Sequence, residues 1–395
     1  MSAGGAAPTR PAPHVLAVAD YFVPGFRGGG VITGVANVIQ QLQASFTFDV
    51  LTRDRDLGAA EPYPDVSRGA WNETPFGKVY YLRPWQRQPI ALSRVLGGVP
   101  FDLLYLNSLF SPLTFHLLAL RRAGLLRRTP LVLAPRGELA ESALRVSRRK
   151  KQVYEKVLRL GFLDDIIWQA SSEHEARDIT EFFERRHGRT VTCVNTGEVP
   201  GVAVNHPDAS RRPKRAGQVR AMFLGRVHRI KNLDVAIRLL ARSAGEIELT
   251  VVGQMEDTEY WNECQQLIAA LPREKTVRWA GVFPRETVAR MLMESDLMLL
   301  PTRGENFGHA ILEALMAGCP VLTSDQTPWR GLASLGVGWD IALDDADAAQ
   351  AALDSMSAMG PEAHELMRQR AKAFGRAAVP DAVRLHEDLF RLALQ

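Results

Sequence analysis

Between Met298 and Ser324 the chain reads MLLPTRGENFGHAILEALMAGCPVLTS, and this stretch limits its fold more than any other. Leu297-Met298-Leu299-Leu300 is an apolar run closed by Pro301, and Pro320-Val321-Leu322-Thr323 is a second. Such short runs, bounded by turn residues, read as strands buried on both faces of a parallel sheet. Between them Phe307, Ile311, Ala314 and Leu315 recur at i, i+4, i+7 and i+8, which is one apolar helix face. Gly318 and Pro320 stop that helix. A strand–helix–strand crossover follows, and with it an α/β architecture.

Two carboxylates stand out around this helix. Glu305 precedes it and Glu313 lies within it, eight residues on. At about 100° per residue, Glu313 shares a stripe with Asn306 and His309, away from the apolar face and roughly 8 Å along the axis from the helix start. A diphosphate resting near the amides of Asn306, Phe307 and Gly308 would leave ribose hydroxyls within reach of Glu313 and a sugar facing Glu305. The plainer reading is a helix with an acidic start and a solvated glutamate.

The remaining chain supplies two βαβ beginnings. His14 to Ala19 is an apolar strand, Gly28-Gly29-Gly30 follows its loop, and Val31, Val35, Val38, Ile39 and Leu42 line a helix before the strand Phe46 to Leu51. Glycines there admit a phosphate or hydroxyl to the backbone, although a strict G-x-G-x-x-G is missing. Strands at 101–106 and 131–134 end at Asn107 and at Arg136-Gly137-Glu138. Ligands of open α/β sheets bind at carboxyl ends of strands, so Asn107, Arg136 and Glu138 are candidate acceptor-side groups. A local salt bridge between Arg136 and Glu138 is the alternative. Residues 52–100 give only a short strand at 78–82.

The second beginning is the strand Val219 to Leu224, then Gly225-Arg226, with Lys231 five residues after the arginine. A helix through Leu233, Ile237 and Leu240 leads to a strand ending at Gly253. Cations at that spacing suit a diphosphate, since one opposite charge at ~4 Å is worth about 4 kcal/mol at an effective dielectric near 20, before desolvation. A further strand ends at Val282, and from Asp347 the pattern is helical, broken around 377–380.

The run Glu305-Asn306-Phe307-Gly308 to Glu313-Ala314, ending Ala317-Gly318-Cys319-Pro320-Val321, resembles the E-x7-E signature of glycosyltransferase family 4. Gly225-Arg226-x4-Lys231 is similar to that family's phosphate-neutralising loop, and Gly28–Gly30 to its N-terminal glycine loop. The resemblance is strongest over 219–325 and poor over 52–100. It implies the GT-B fold: two Rossmann-like domains facing a cleft, with a terminal helix crossing back to the first. It implies a retaining, metal-independent transfer of a sugar from a UDP- or GDP-sugar to a hydroxyl of a glycan or lipid-linked saccharide, as in surface polysaccharide synthesis. Glu305, Arg226 and Lys231 would serve the reaction. Glu313, Asn306, Phe307, Gly308, His309, Gly225, Gly253 and Val282 would hold the donor. Gly28, Gly29, Gly30, Asn107, Arg136 and Glu138 would form the acceptor and phosphate loops. No metal or other cofactor is expected. A sugar-nucleotide epimerase of the same fold, and a non-catalytic sugar-nucleotide-binding partner of a membrane complex, remain alternatives.

The expected organisation is a tail at 1–13, an acceptor domain over 14–200 completed by 381–395, a linker at 201–217 and a donor domain over 218–380. Three separated cysteines, Cys193, Cys264 and Cys319, give neither a disulfide framework nor a zinc spacing and fit a cytoplasmic protein. The net charge of +4 admits anionic ligands, and no aromatic-rich module accompanies it, so nucleic acid is not expected. The basic amphipathic run Arg145–Arg159 suits an anionic membrane surface or, more plainly, a solvated helix face.

Overall fold

The computed structural model describes residues 11–395 except 127–128, 141–142, 145–161, 164, 198, 200–211, 306 and 379. The basic run 145–159, most of the expected linker and Asn306 therefore lie outside the described residues. The chain divides into two compact units, residues 1–201 with 381–395, and residues 202–380.

The first unit is built on β1 (His14–Val18), β2 (Thr47–Arg53), β3 (Trp71–Thr74), β4 (Gly77–Leu82), β5 (Leu103–Asn107), β6 (Leu131–Ala134), β7 (Ile167–Ala170) and β8 (Thr192–Asn195). Their order is β3-β4-β2-β1-β5-β6-β7-β8, parallel throughout except the β3–β4 hairpin at one edge. Alternate side chains leave the sheet on opposite faces. Val15, Ala17, Val50, Val79 and Tyr105 enter one core, and Leu16, Val18, Leu51, Leu82 and Leu106 the other. Both faces are covered, which is why these strands read as unbroken apolar runs rather than alternating ones. Each such side chain contributes roughly 2 kcal/mol by leaving water. The helix Pro380–Ala393 closes this unit: Phe390 lies edge-on to Phe46 and Tyr105 at centroid distances of 5.5 and 5.1 Å.

The second unit holds β9 (Gln218–Leu224), β10 (Glu246–Val252), β11 (Lys275–Gly281), β12 (Leu297–Leu300), β13 (Val321–Ser324) and β14 (Gly338–Ile341). All are parallel, in the order β11-β10-β9-β12-β13-β14. The first two crossovers carry the chain leftward from β9 through β10 to β11, and the later ones carry it rightward. The strand order thus reverses between β9 and β12, whose hydrogen-bonded register is Leu297↔Ala221 and Met298↔Met222. The helix Leu233–Arg242 packs with Thr258–Ala269 and Ala346–Ala358, whereas His309–Met316 packs with Arg285–Glu294 and Pro361–Ala377.

The element between Glu305 and Cys319 is shorter than its periodicity predicts. Gly308, at φ 84°, is the N-cap, and the helix runs His309–Met316. Its buried face is Ile311, Leu312, Ala314 and Leu315; Phe307 lies before the first turn. The amides that open this helix are accordingly those of His309 and its successors, not those of Phe307 and Gly308. No helix among the described residues is long and apolar enough to cross a membrane.

One buried ion pair anchors the start of β12. Asp296 is 1% exposed and receives the Arg220 guanidinium at 2.7 and 3.0 Å and the Arg220 amide at 3.0 Å. Burial pushes its carboxyl up, but the Arg220 hydrogen bonds and charge outweigh that and hold it below the usual carboxylate range. A carboxyl depressed in the folded state stabilises above its unfolded pKa of about 4, and that stabilisation is lost as pH falls through the depressed value. Urea denaturation should show wild-type stability falling more steeply than that of Asp296→Asn between about pH 5 and pH 2. Parallel pH dependence in the two proteins would remove this role.

Candidate active site

Every loop named in the second unit leaves the carboxyl edge of the same parallel sheet. Gly225 to Asn232 follows β9, Gly253 follows β10, Val282 follows β11 and Pro301 to Gly308 follows β12. The reversal of strand order sets the β9 and β12 loops side by side at the place where open α/β sheets bind ligands. There Lys231 Nζ meets Glu305 Oε1 at 2.5 Å, with side chains 16% and 12% exposed. Two residues 74 positions apart thus form a charge-assisted hydrogen bond largely shielded from water.

The loops that carry this pair are braced together. Asn232, 3% exposed and at φ 54°, donates from Nδ2 to the Pro301 carbonyl at 2.9 Å and accepts from Arg303 Nε at 2.6 Å. The Ile230 carbonyl accepts from the Arg303 amide at 2.7 Å and from Thr302 Oγ1 at 3.1 Å. The Glu305 amide donates to the Gln326 carbonyl at 3.1 Å, tying the loop to the end of β13. Behind the carboxylate, Trp329 donates from Nε1 to the Phe307 carbonyl at 2.6 Å and packs edge-on against the Phe307 ring at 5.4 Å. None of Asn232, Arg303, Gln326 or Trp329 was singled out by sequence. The available signal was Asn232 itself, a residue type that tolerates a left-handed backbone just before a helix.

The other donor-side residues are placed as follows. Arg226 is paired with Glu256 on the β10 loop and is 40% exposed. Glu313, 31% exposed, faces Arg285 at 3.3 Å, an exposed pair worth at most about 1 kcal/mol. His309 opens the helix with its ring 5.3 Å from that of Phe307. Val282 is 45% exposed. Gly225 and Gly253 touch backbone to backbone: a Cβ on Gly253, whose φ is 145°, would stand 2.0 Å from the Gly225 carbonyl oxygen. Burial pushes the Cys193 and Cys264 thiols up to about 11, so neither is a nucleophile at neutral pH.

In the first unit the strand order reverses between β1 and β5. Gly29 is the N-cap and Gly30 the first residue of the helix Gly30–Leu42, with Gly28 just before them. The loop leading there is held by Asp56, whose carboxylate accepts the Phe26 and Arg27 amides at 2.8 and 3.0 Å. Asn107, 1% exposed at the end of β5, accepts from Arg136 Nε and Nη2 at 3.1 and 2.9 Å, and Arg136 Nη2 also donates to the Tyr105 hydroxyl at 2.7 Å. Glu138 accepts from Ser108 Oγ and the Leu109 amide, both at 2.6 Å, and from the Phe110 amide at 3.1 Å. The structure therefore joins Asn107 to Arg136 and uses Glu138 to clamp the loop after β5. Asp20, which accepts from Ser111 at 2.8 Å and pairs with Arg53 at 2.8 Å, bridges the β1 and β5 loops and was not anticipated.

The contact between Gly225 and Gly253 gives a direct prediction. Gly253→Ala should destabilise the second unit by about 3 kcal/mol or more, because the clash is with backbone at a positive φ. Gly304→Ala, whose Cβ would find its nearest neighbour 4.0 Å away, should change stability little in the same urea titration. Equal midpoints for the two variants would refute the contact.

Comparison with known proteins adds a family to this geometry. Residues 207–374 match the family model described as Glycosyl transferases group 1. The amylovoran biosynthesis glycosyltransferase AmsK of Erwinia amylovora is 32% identical over 149 residues, 35% of this chain and 36% of that protein. The 2-deoxystreptamine N-acetyl-D-glucosaminyltransferase of Niallia circulans is 27% identical over 127 residues, 31% and 32% of the two chains. These alignments span about a third of each curated relative. Over nearly the whole chain the fold is similar to sucrose-phosphate synthase from Thermosynechococcus elongatus, with a TM-score of 0.71, 15% identity and 96% and 98% of the chains covered. It is also similar to WaaG, a glycosyltransferase involved in lipopolysaccharide biosynthesis, with a TM-score of 0.62, 16% identity and 95% and 98% coverage. The protein has a two-domain GT-B-like α/β fold, and its residues 207–374 are similar to the glycosyl transferases group 1 family.

Proposed function

We propose that the chain transfers a sugar from a UDP- or GDP-sugar to a hydroxyl of a glycan or lipid-linked saccharide, with retained anomeric configuration, in surface polysaccharide synthesis. The observation that carries this reading is the Lys231–Glu305 pair at the strand-order reversal, inside the residues similar to the group 1 family. The likeness to AmsK over a third of the chain supports the polysaccharide setting.

In this scheme the donor diphosphate competes with Glu305 for Lys231 and with Glu256 for Arg226. The amides opening the helix at His309 add positive potential, and Phe307, Gly308 and His309 line the same end. Glu313 accepts hydrogen bonds from the ribose hydroxyls once Arg285 swings aside, at little cost for so exposed a pair. Gly225 and Gly253 admit the nucleotide close to the backbone, beside Val282. Glu305, freed from Lys231, faces the sugar. As the bond from the anomeric carbon to the phosphate oxygen breaks, the acceptor oxygen bonds to that carbon on the same face. The acceptor proton passes to the departing phosphate. Fixed cations that meet the developing negative charge without reorganising supply most of the rate gain in such sites. Lys231 and Arg226 fill that role, with no metal in the scheme. Gly28–Gly30, Asn107, Arg136 and Glu138 form the acceptor side in the first unit.

Incubation with radiolabelled UDP- and GDP-sugars tests the reading. Slow release of free sugar from one of them is expected. Conversion to another nucleotide sugar would establish the epimerase alternative, and binding without turnover the non-catalytic one. Glu305→Gln should lower the release rate at least a hundredfold while calorimetry finds nucleoside diphosphate affinity changed by less than about threefold. Glu313→Ala should instead weaken that affinity by roughly 10- to 100-fold, the loss of a charged acceptor worth about 1.5–3 kcal/mol. Unchanged affinity in folded Glu313→Ala would sink the proposed donor placement.

A further inference from the structure

The sugar-transfer scheme leaves one face of the first unit unused. After β4 the chain runs Arg83 to Arg94, RPWQRQPIALSR, through a 3-10 turn Pro84–Arg87 and a helix Pro89–Leu96. That helix buries Leu92 and Leu96. Ile90 and Arg94, four residues apart, share the opposite stripe at about 100° per residue. Ile90 is 73% exposed and Trp85, in the preceding turn, 61%. Pro84 and Pro89 each open their helical turn, so the segment is stiff before anything binds it.

The sequence around these two side chains is strongly basic, although Asp20 and Asp54 from the β1 and β2 loops lie near Arg87. Between Glu73 and Glu138 the sequence has nine Lys and Arg against one acidic residue, Asp102. The helix Pro112–Arg122 packs beside Pro89–Leu96, with a His116 ring nitrogen 2.6 Å from the Arg87 carbonyl, and carries Arg121 and Arg122 in its last turn. Several exposed arginines elsewhere have acidic partners, as in Arg226–Glu256, Arg229–Glu263, Arg242–Asp347 and Arg391–Glu387, while others, such as Arg273, Arg290 and Arg376, have none among the described residues. Among the described residues Arg83, Arg94 and Arg122 make no ion pair. Arg83 donates to the Arg68 carbonyl at 3.2 Å, and among the described residues no carboxylate neutralises the three arginines that accompany the exposed tryptophan and isoleucine.

We infer that the face formed by Arg83, Trp85, Ile90, Arg94 and Arg122 docks on an anionic lipid surface. The arginines meet lipid phosphates, the indole takes the interfacial position that suits one apolar and one polar edge, and Ile90 enters the acyl boundary. A nucleic acid would use the cations but would leave Ile90 in water, since an aliphatic side chain neither stacks on a base nor reads one. This inference is independent of the sugar-transfer reading and of the basic run 145–159.

The test uses the full chain and vesicles of phosphatidylcholine with or without phosphatidylglycerol. Wild type should sediment with the phosphatidylglycerol vesicles alone, and brominated acyl chains should quench part of its tryptophan emission. Trp85→Ser with Ile90→Ser, both exposed positions, should lower partitioning at least tenfold, abolish the quenching and leave circular dichroism unchanged. Arg83→Ser, Arg94→Ser and Arg122→Ser together should also lower partitioning at least tenfold, each cation near an anionic surface being worth about fivefold. Replacing Arg148, Arg149, Lys150 and Lys151 by Ser should leave the Trp85 quenching in place. Equal partitioning of wild type and the Trp85, Ile90 double variant would overturn the inference. So would retention on heparin with no vesicle binding, which would assign the face to a polyanion instead.

Discussion

A lysine and a glutamate 74 residues apart share one hydrogen bond, and much of the second unit is arranged so that they can. Neither charge is stable alone in a site so closed to water; removing one partner of such a pair costs about 3 kcal/mol by stranding the other. Lys231 sits at the end of the β9 loop and Glu305 in the β12 loop, and these strands are neighbours only because the crossovers change direction between them. The helix Leu233–Arg242 and the helix His309–Met316 accordingly pack with different helices, the first with Thr258–Ala269 and Ala346–Ala358, the second with Arg285–Glu294 and Pro361–Ala377. Asn232, Arg303, Thr302 and the Gln326 carbonyl then fix the two loops to each other. The pair is held by backbone as well as by charge, so either member can be released to a ligand without unravelling the loop that carries it.

The same economy appears where loops meet without charge. Gly225 and Gly253 end adjacent strands and press backbone on backbone, so the floor beside Lys231 is main chain rather than side chain. In the first unit the equivalent reversal, between β1 and β5, is spanned by Asp20 with Ser111 and Arg53, while Asn107 orients Arg136. Both sheets thus place fixed polar groups at their carboxyl edges, on strands whose own side chains are buried on both faces.

The sequence was most legible where burial was most complete. Strands β1, β5, β6 and β12 are largely apolar on both faces, and such a run between turn residues has few other readings. The legibility fails where burial is partial. β3, an antiparallel edge strand reading WNET, has no fully buried residue, and the helix Pro89–Leu96 hides only Leu92 and Leu96. The helix Thr258–Ala269 buries only Tyr260 and Cys264, and β14 reads GWDI, too short and mixed for either period. Of the site, the spacing of Arg226, Lys231, Glu305 and Glu313 was visible, but their partners were not. Glu256, Arg285 and Trp329 reach the site by tertiary contact, and nothing in their own neighbourhood marks them. The position of the helix start was misjudged for a local reason: Gly308 takes a left-handed conformation and delays the first turn to His309.

The central claim is that the carboxyl edge of the second sheet, at the meeting of the β9 and β12 loops, holds a nucleoside diphosphate. Hydrogen–deuterium exchange of the full chain, with and without saturating UDP or GDP, tests it most directly. One of the two nucleotides should slow exchange in peptides spanning residues 225–231 and 302–313 while leaving peptides over residues 103–122 of the first unit unchanged. Protection confined to the first unit, or none from either nucleotide, would contradict the account.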